Sequence, residues 1–457
     1  MTKSTHQKDS RRSFMKTTTV VAAGAAAATN IARTAHAQGS DEIRFVVIGC
    51  GGRGTGAAQN IMRTKGNVKL VAVADAFATK ASGSIKQLKK KYPDKVDVPE
   101  DRIFTGIDGF KAAIDVDCDL VVIATPPAFK PMQFEYAANK GRHIFCEKPV
   151  ASDAVGVRRF MDAVEVTKKK NLMVGIGLQR RHEPQYIETV KRIHEGAIGD
   201  ILALRVYWNG GGIWHRGKET LERLLPAGMS PTEMAYQCNN WYHFNWLSGD
   251  QICEQHIHNL DVGCWVKGEY PVECNGMGGR GLRMNGDATK SQIFDHTFCE
   301  YTFADGTKMF SQGRHLGGSW TKVGEVAHGT KGTGYLDDKG REGSSGNMFT
   351  LTGNDAWKYE GEKLGGHQQE QHDLIEALMR GETYNEGEYG AKSTFCAILG
   401  REACYSAKVL KWDDLWTKGT ELAPGIDDYT LESEPPVKPD SDGSYPHPVP
   451  GKYNPYA

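Results

Sequence analysis

Short apolar runs separated by polar stretches of helical length set the rhythm of the first third of the chain. Phe45–Ile48, Leu70–Ala74, Asp119–Ala124, His143–Phe145 and Leu172–Ile176 are runs of this kind, rich in β-branched and aromatic side chains. Continuous rather than alternating apolar character is the mark of strands covered on both faces, as in a parallel sheet. The stretches between them, such as Met132–Lys140 (closing at Gly141) and the amphipathic Ser152–Lys170, have the length and polarity of crossover helices.

After Gln179 the texture changes. The pattern predicts a helix over Glu183–His194 ending at Gly196, a strand over Ile201–Trp208, a long irregular insertion over Asn209–Phe244, and a helix over Ile252–Val266. Phe298–Phe303 and Met309–Gly313, joined by Ala304-Asp305-Gly306, read as a β-hairpin. An open, mostly antiparallel sheet with helices on one face follows from these elements. Helices near His372–Met379 and Thr394–Val409 are expected to pack back towards the first domain. From Gly419 the chain is rich in Pro, Gly and acids and reads as an extended tail, and no internal repeat is evident.

The first apolar run leads into Gly49-Cys50-Gly51-Gly52-Arg53-Gly54 and then a helical stretch. Strand, glycine turn and helix in that order suit a dinucleotide, whose pyrophosphate lies against bare backbone N–H groups at a helix N-terminus. A Cβ at Gly51 would hold the phosphates away, and Gly54 lets helix and strand approach closely. The second strand ends at Asp75, about 20 residues further on, where an acid accepts the ribose hydroxyls of NAD and repels the 2′-phosphate of NADP. Arg53 within the loop keeps NADP possible. The alternative, a glycine loop with no ligand, lacks a reason for the second strand and its acid. Ligands of such sheets bind beyond the strand C-termini, so Gly49–Gly54, Asp75, Thr125-Pro126 and Glu147-Lys148-Pro149 should converge on one cleft.

The fold expected is therefore α/β: a Rossmann dinucleotide-binding domain over 41–178, a C-terminal α+β domain with a large open sheet over 179–418, and a tail over 419–457. Residues 1–37 stand apart. Ser10-Arg11-Arg12-Ser13-Phe14-Met15-Lys16, a mild Ala-rich run and Ala35-His36-Ala37 follow the grammar of a twin-arginine export signal, and the run is too short to span a bilayer. This predicts a periplasmic or extracytoplasmic protein that meets the twin-arginine translocase. Loss of the segment removes six basic residues and one acid from a chain of net charge zero, leaving about −5. That balance gives no electrostatic case for nucleic acid or anionic membrane. Ten cysteines without a C-x-x-C pair resemble neither a zinc site nor a disulfide framework, and several fall in buried strands.

Two stretches carry candidate chemistry. Lys148, at the end of a strand and held by Pro149, could donate to a substrate oxygen and steady alkoxide charge; a surface lysine before a rigid turn is the bland alternative. In Asp250–Asp261, helical spacing would put Glu254, His258 and Asp261 on one face. A Glu orienting a His leaves the imidazole poised to take a hydroxyl proton while hydride leaves the carbon; a satisfied core histidine is the alternative. No metal is expected, because His256 and His258 diverge at i,i+2 on a helix.

On these residues, with Arg181, Gly196-Ala197-Ile198-Gly199 and His258-Asn259-Leu260-Asp261, the chain resembles the Gfo/Idh/MocA family of dinucleotide-dependent oxidoreductases over about Ile43–Lys411. The resemblance implies that Lys148 and His258 are catalytic and that Glu254 stands where the family usually has Asp. It places Lys130 where many members carry His after the Thr-Pro turn. It also implies a C-terminal sheet serving as substrate wall and as the interface of a homo-oligomer. Trp214 and Tyr242, in an insertion crowded with aromatics and amides, and Trp246 just beyond it are candidate sugar-stacking residues beside Arg181 and Asp261; a buried aromatic satellite core is the alternative.

The expected activity is hydride transfer between NAD(P) and a carbohydrate hydroxyl, probed against two alternatives. One is redox-neutral glycoside cleavage or epimerisation through transient sugar oxidation. The other is a non-catalytic sugar-binding protein with structural NAD. Free NAD is not expected outside the cytoplasm, so an exported member would carry a tightly bound cofactor and recycle it.

Overall fold

The computed structural model describes residues 42–225, 230–281, 291–337, 349–362 and 364–457. The expected export signal, 1–37, lies outside the described residues. Strands β1 (Glu42–Ile48), β2 (Asn67–Asp75), β3 (Ile103–Thr105), β4 (Leu120–Ile123), β5 (His143–Cys146) and β6 (Val174–Ile176) form one sheet in the order β3-β2-β1-β4-β5-β6. All five pairings are parallel. Phe45, Val46, Val47 and Ile48 are all buried, which is why that run shows no alternation. The strand order reverses between β1 and β4, so a crevice opens beyond their C-terminal ends. The helix Ala154–Lys169 begins at Asp153, whose carboxylate accepts from the Gly156 amide at 2.7 Å, and carries Lys168 and Lys169 in its last turn.

The second sheet has nine strands: β7 (Ile201–Gly210), β8 (Glu273–Gly279), β9 (His296–Thr302), β10 (Lys308–His315), β11 (Lys322–Gly329), β12 (Thr333–Asp337), β13 (Thr350–Leu351), β14 (Trp357–Lys358) and β15 (Leu410–Lys411). Their order is β14-β13-β12-β11-β7-β10-β9-β8-β15, and the central β7–β10 pair is parallel while the others are antiparallel. The β9–β10 hairpin turns at Gly306, whose φ of +87° suits glycine, and Asp305 accepts from the Thr307 amide at 2.9 Å. Inward and outward residues alternate along β10, with Phe310 stacked on Phe298 across the outer face. The inner face is covered by helices Ile257–Lys267 and Gly387–Ser406, the latter buried along almost its whole length.

The two sheets belong to one compact unit from Asp41 to Ala457. Helix Gly366–Met379 packs Leu374, Ile375 and Leu378 into the core under β1 and β2, and the Asn60 amide donates to the His367 carbonyl at 2.8 Å. Past Lys418 the chain is irregular but not loose: Leu431 and Tyr445 are buried, and the Gln237 amide donates to the Val437 carbonyl at 2.8 Å. No helix among the described residues is long and apolar enough to cross a membrane.

Candidate active site

Three glycines shape the cofactor end, each for a different reason. Gly49 has φ +90°, and a Cβ there would lie 2.7 Å from the Ala124 backbone. A Cβ on Gly54 would fall 1.9 Å from the Gly49 carbonyl oxygen, so this residue sets how closely the helix Gly52–Met62 sits on β1. At Gly51 and Gly52 the space is open for 4 Å, which is the bare cradle a pyrophosphate needs at the helix N-terminus. Asp75 lies at the end of β2 and takes backbone N–H donors from Cys50 at 2.7 Å and Phe77 at 2.9 Å. Burial pushes its carboxyl up, opposed by the Lys80 ammonium and those two donors. Asp75, Gly49 and Gly51 line a pocket that continues to Thr125 and Pro126. Thr125 donates to Gln133 Oε1 at 2.6 Å. Open cradle, helix terminus and braced acid together fit a dinucleotide.

Arg53 points elsewhere. Its Nε lies 3.0 Å from Glu147 Oε1, so the basic residue that kept NADP possible is committed to the next strand end rather than to a 2′-phosphate beside Asp75. Glu147, His367 and Glu370 bring one ligand atom each within 4.8 Å of one another, with the Arg53 guanidinium already on Glu147. Burial, with Glu147 nearby, pushes Glu370 up to about 7.

The reaction end is built around Lys148. Its ammonium donates to the Glu254 carbonyl at 2.5 Å and lies 3.4 Å from the Glu254 carboxylate. Lys130, fully buried after the Thr-Pro turn, donates to the Lys148 and Pro149 carbonyls at 3.1 and 2.9 Å and so fixes the strand end carrying Lys148. Burial lowers the Lys130 pKa.

The segment Ile252–His256 is a π-helical turn that gives way to the α-helix Ile257–Lys267, which corrects the regular helix expected there. The correction matters for pairing: Glu254 turns to Lys148 instead of orienting His258, whose buried Nδ1 has no hydrogen-bond partner among the described residues. The His258 ring stacks on Trp208 of β7, with centroids 6.0 Å apart. Burial first, then the charges of Lys148, Arg180 and His367, hold its pKa well below the ordinary imidazole range. His258 is therefore a neutral imidazole beside a cationic lysine. His256 serves the core instead, 2.7 Å from Ser311 Oγ and pushed down to about 3 by burial.

Several substrate candidates have other partners. Arg181 Nε reaches both Asp261 oxygens at 3.1 and 2.9 Å, and Ser393 donates to the same carboxylate at 2.7 Å. With Asp261 1 % exposed, this is a buried ion pair, because a buried carboxylate takes the nearest guanidinium. Trp246 is buried, donates to Gln237 Oε1 at 2.7 Å and packs on Phe129, which makes it part of the core. Tyr242 is buried against Trp241 and His315. The Arg216 guanidinium lies 3.8 Å over the Trp214 ring and takes one stacking face. Trp208 and the Arg180–Glu325 ion pair, which Asn259 of the motif joins (2.6 Å for each bond), are site features that spacing did not reveal. Trp208 read from the sequence as the end of a strand, and only the assembled sheet brings its ring onto His258.

Residues 43–178 match the model of an oxidoreductase family with an NAD-binding Rossmann fold. An inositol 2-dehydrogenase of Rhizobium meliloti is 36% identical over 159 residues, which is 35% of this chain and 43% of that protein. The chain spans about half the length of the curated relatives it matches. Among solved structures, scyllo-inositol dehydrogenase from Lactobacillus casei with bound NAD(H) and scyllo-inositol aligns with TM-score 0.59 at 18% identity, covering 81% of this chain and 99% of that one. Aldose-aldose oxidoreductase from Caulobacter crescentus, complexed with glycerol, aligns with TM-score 0.60 at 17% identity and the same coverage. At these identities the likeness shows a shared fold.

Proposed function

We propose that this chain, whose residues 43–178 match the Gfo/Idh/MocA oxidoreductase family model, oxidises a hydroxyl of a sugar or cyclic polyol with NAD held in the β1–β4 crevice. The observation that carries this reading is the contact of the Lys148 ammonium with the Glu254 carbonyl, one helical turn before a neutral His258. The inositol dehydrogenases among its relatives and structural neighbours support the polyol class.

Held by the Gly49–Gly54 turn and Asp75, NAD⁺ would supply the hydride acceptor for the carbinol carbon. His258, neutral at working pH, takes the hydroxyl proton as the hydride leaves, and its stacking on Trp208 limits the ring to one plane. Lys148 keeps a proton donor on the oxygen as it gains alkoxide and then carbonyl character. Glu254 holds Lys148 in place and is a positioning residue.

We further propose that the cofactor stays bound and is recycled. The twin-arginine grammar of 10–37 supports export, and an exported enzyme would lack free NAD. In that cycle a sugar would be oxidised to a ketone; the ketone would then lose its glycosidic group as the leaving alcohol and add water, or be epimerised at the adjacent carbon, or be exchanged for a second substrate, and the hydride would return to the carbonyl carbon. The open outer face of the second sheet, where Met277 is 69% exposed beside the stacked Phe298 and Phe310, supports a homo-oligomer formed there.

The test is a screen of polyols, aldoses and glycosides against dialysed protein, following bound-nicotinamide absorbance and products together. Turnover without added NAD is expected. A preparation active only with excess free cofactor overturns the recycling, and one inert towards every substrate, with His258→Ala indistinguishable from wild type, overturns the enzyme.

A further inference from the structure

The pocket beside Asp75 has a roof that does not come from the dinucleotide-binding domain. Cys238 and Trp241, from the insertion after β7, line it opposite Gly49, Gly51 and Asp75. The roof is anchored on every side. The Arg216 backbone N–H donates to Asn240 Oδ1 at 2.9 Å, Asn240 Nδ2 donates back to the Arg216 carbonyl at 3.0 Å, and the Arg216 guanidinium donates to the Asn239 carbonyl at 2.7 Å. These bonds fix the backbone immediately before Trp241. The indole packs against Trp214 at 6.3 Å and Tyr242 at 5.5 Å between ring centroids. From above, the tail straps the short helix Glu233–Asn239 that leads into this roof: Thr232, its N-cap, donates to the Leu431 carbonyl, and Tyr445 donates to Glu233.

We propose that Trp241 is a cofactor-retaining residue: it closes the adenosine half of the site and slows release of NAD, so that one cofactor serves many turnovers. The proposal rests on the reading of this crevice as the NAD site. An aromatic face over a nucleobase site adds about one to two powers of ten in affinity, and here the aromatic ring sits on a braced backbone, so the gain should appear in the dissociation rate. The insertion thus joins the substrate side of the molecule to the cofactor it must keep.

The experiment exchanges the cofactor of purified full-length protein against excess fluorescent etheno-NAD, with bound and free pools separated by rapid gel filtration. Trp241→Ala and Trp241→Leu are compared with wild type, and circular dichroism and melting checked for each. Wild type should exchange slowly, and each folded variant about ten- to a hundredfold faster. Tryptophan-sensitised emission of bound NADH should also fall in Trp241→Phe while the cofactor remains bound. Folded variants that exchange at the wild-type rate, or unchanged sensitised emission, overturn the roof while leaving the NAD site standing. A wild-type protein that neither carries bound NAD after purification nor takes up etheno-NAD overturns both.

Discussion

The two ends of the crevice are built by different means. At the cofactor end the determinants are backbone: a left-handed glycine, an open glycine, a close-packing glycine and main-chain N–H groups bracing one acid. At the reaction end they are side chains brought from distant elements, with Lys130 and Lys148 from the first sheet, Glu254 and His258 from a π-turn and its helix, and Trp208 from the second sheet. A backbone site is written in a dozen consecutive residues, whereas a side-chain site exists only once both sheets have assembled. Substitutions at the first end should therefore act on folding or cofactor retention, and those at the second on turnover.

The largest effect is expected at His258 and Lys148. Changing either to Ala should lower kcat by about 10²- to 10⁴-fold while bound NAD and melting temperature stay near wild type. A loss confined to KM would break the distinction. Because His258 is held neutral by burial and by Lys148, the acid limb of kcat/KM should lie below the ordinary imidazole pKa. In Lys148→Met, the His258 resonance in a ¹³C-histidine titration should move to higher pKa; an unmoved value would mean that the lysine charge does not reach the ring.

Next comes the ion pair that sequence placed in the substrate site. Arg181→Ala strands Asp261 and should cost about 3–5 kcal/mol of stability, measured by denaturant unfolding. Intact stability with a raised KM would return Arg181 to the substrate.

The glycines divide the cofactor end more finely. Gly54→Ala forces a Cβ to 1.9 Å from the Gly49 oxygen and should lower stability by about 1–3 kcal/mol or more. Gly51→Ala meets nothing within 4 Å and should melt like wild type without cofactor, yet release NAD on dialysis. Equal melting of the two variants would contradict the assigned roles.

The smallest effect lies outside both ends. His182 sits 2.7 Å from Asp373 and 3.1 Å from Glu386; burial lowers its pKa, but these carboxylates outweigh burial and raise it to about 10. Its folded pKa exceeds the unfolded value, so its contribution is complete below about pH 6.5 and lost as pH rises through about 10. Melting temperature should decline over that window, and decline less in His182→Gln.

The glycine loop, Asp75 and the Glu147-Lys148-Pro149 turn were legible because each requirement is local: a φ, a close approach, a strand end. The C-terminal hairpin was legible from its alternation and Asp-Gly turn. What escaped was everything that depends on convergence. Helical arithmetic paired Glu254 with His258, but the π-turn changes the stagger by part of a turn and delivers Glu254 to Lys148. The same arithmetic aimed Asp261 at substrate, while Arg181, 80 residues earlier, was there to neutralise it. Aromatic crowding flagged the insertion without telling a packed ring such as Trp246 from one lining the cofactor pocket such as Trp241.

Deuterium transfer tests the central claim most directly. Purified protein is incubated with a polyol or glycoside carrying deuterium at its carbinol carbons, the cofactor is released with acid, and its mass is read. The arrangement of Lys148 and His258 predicts one deuterium on the bound nicotinamide in wild type and none in His258→Ala over the same time. Product formed while the cofactor stays unlabelled would contradict hydride transfer in this crevice.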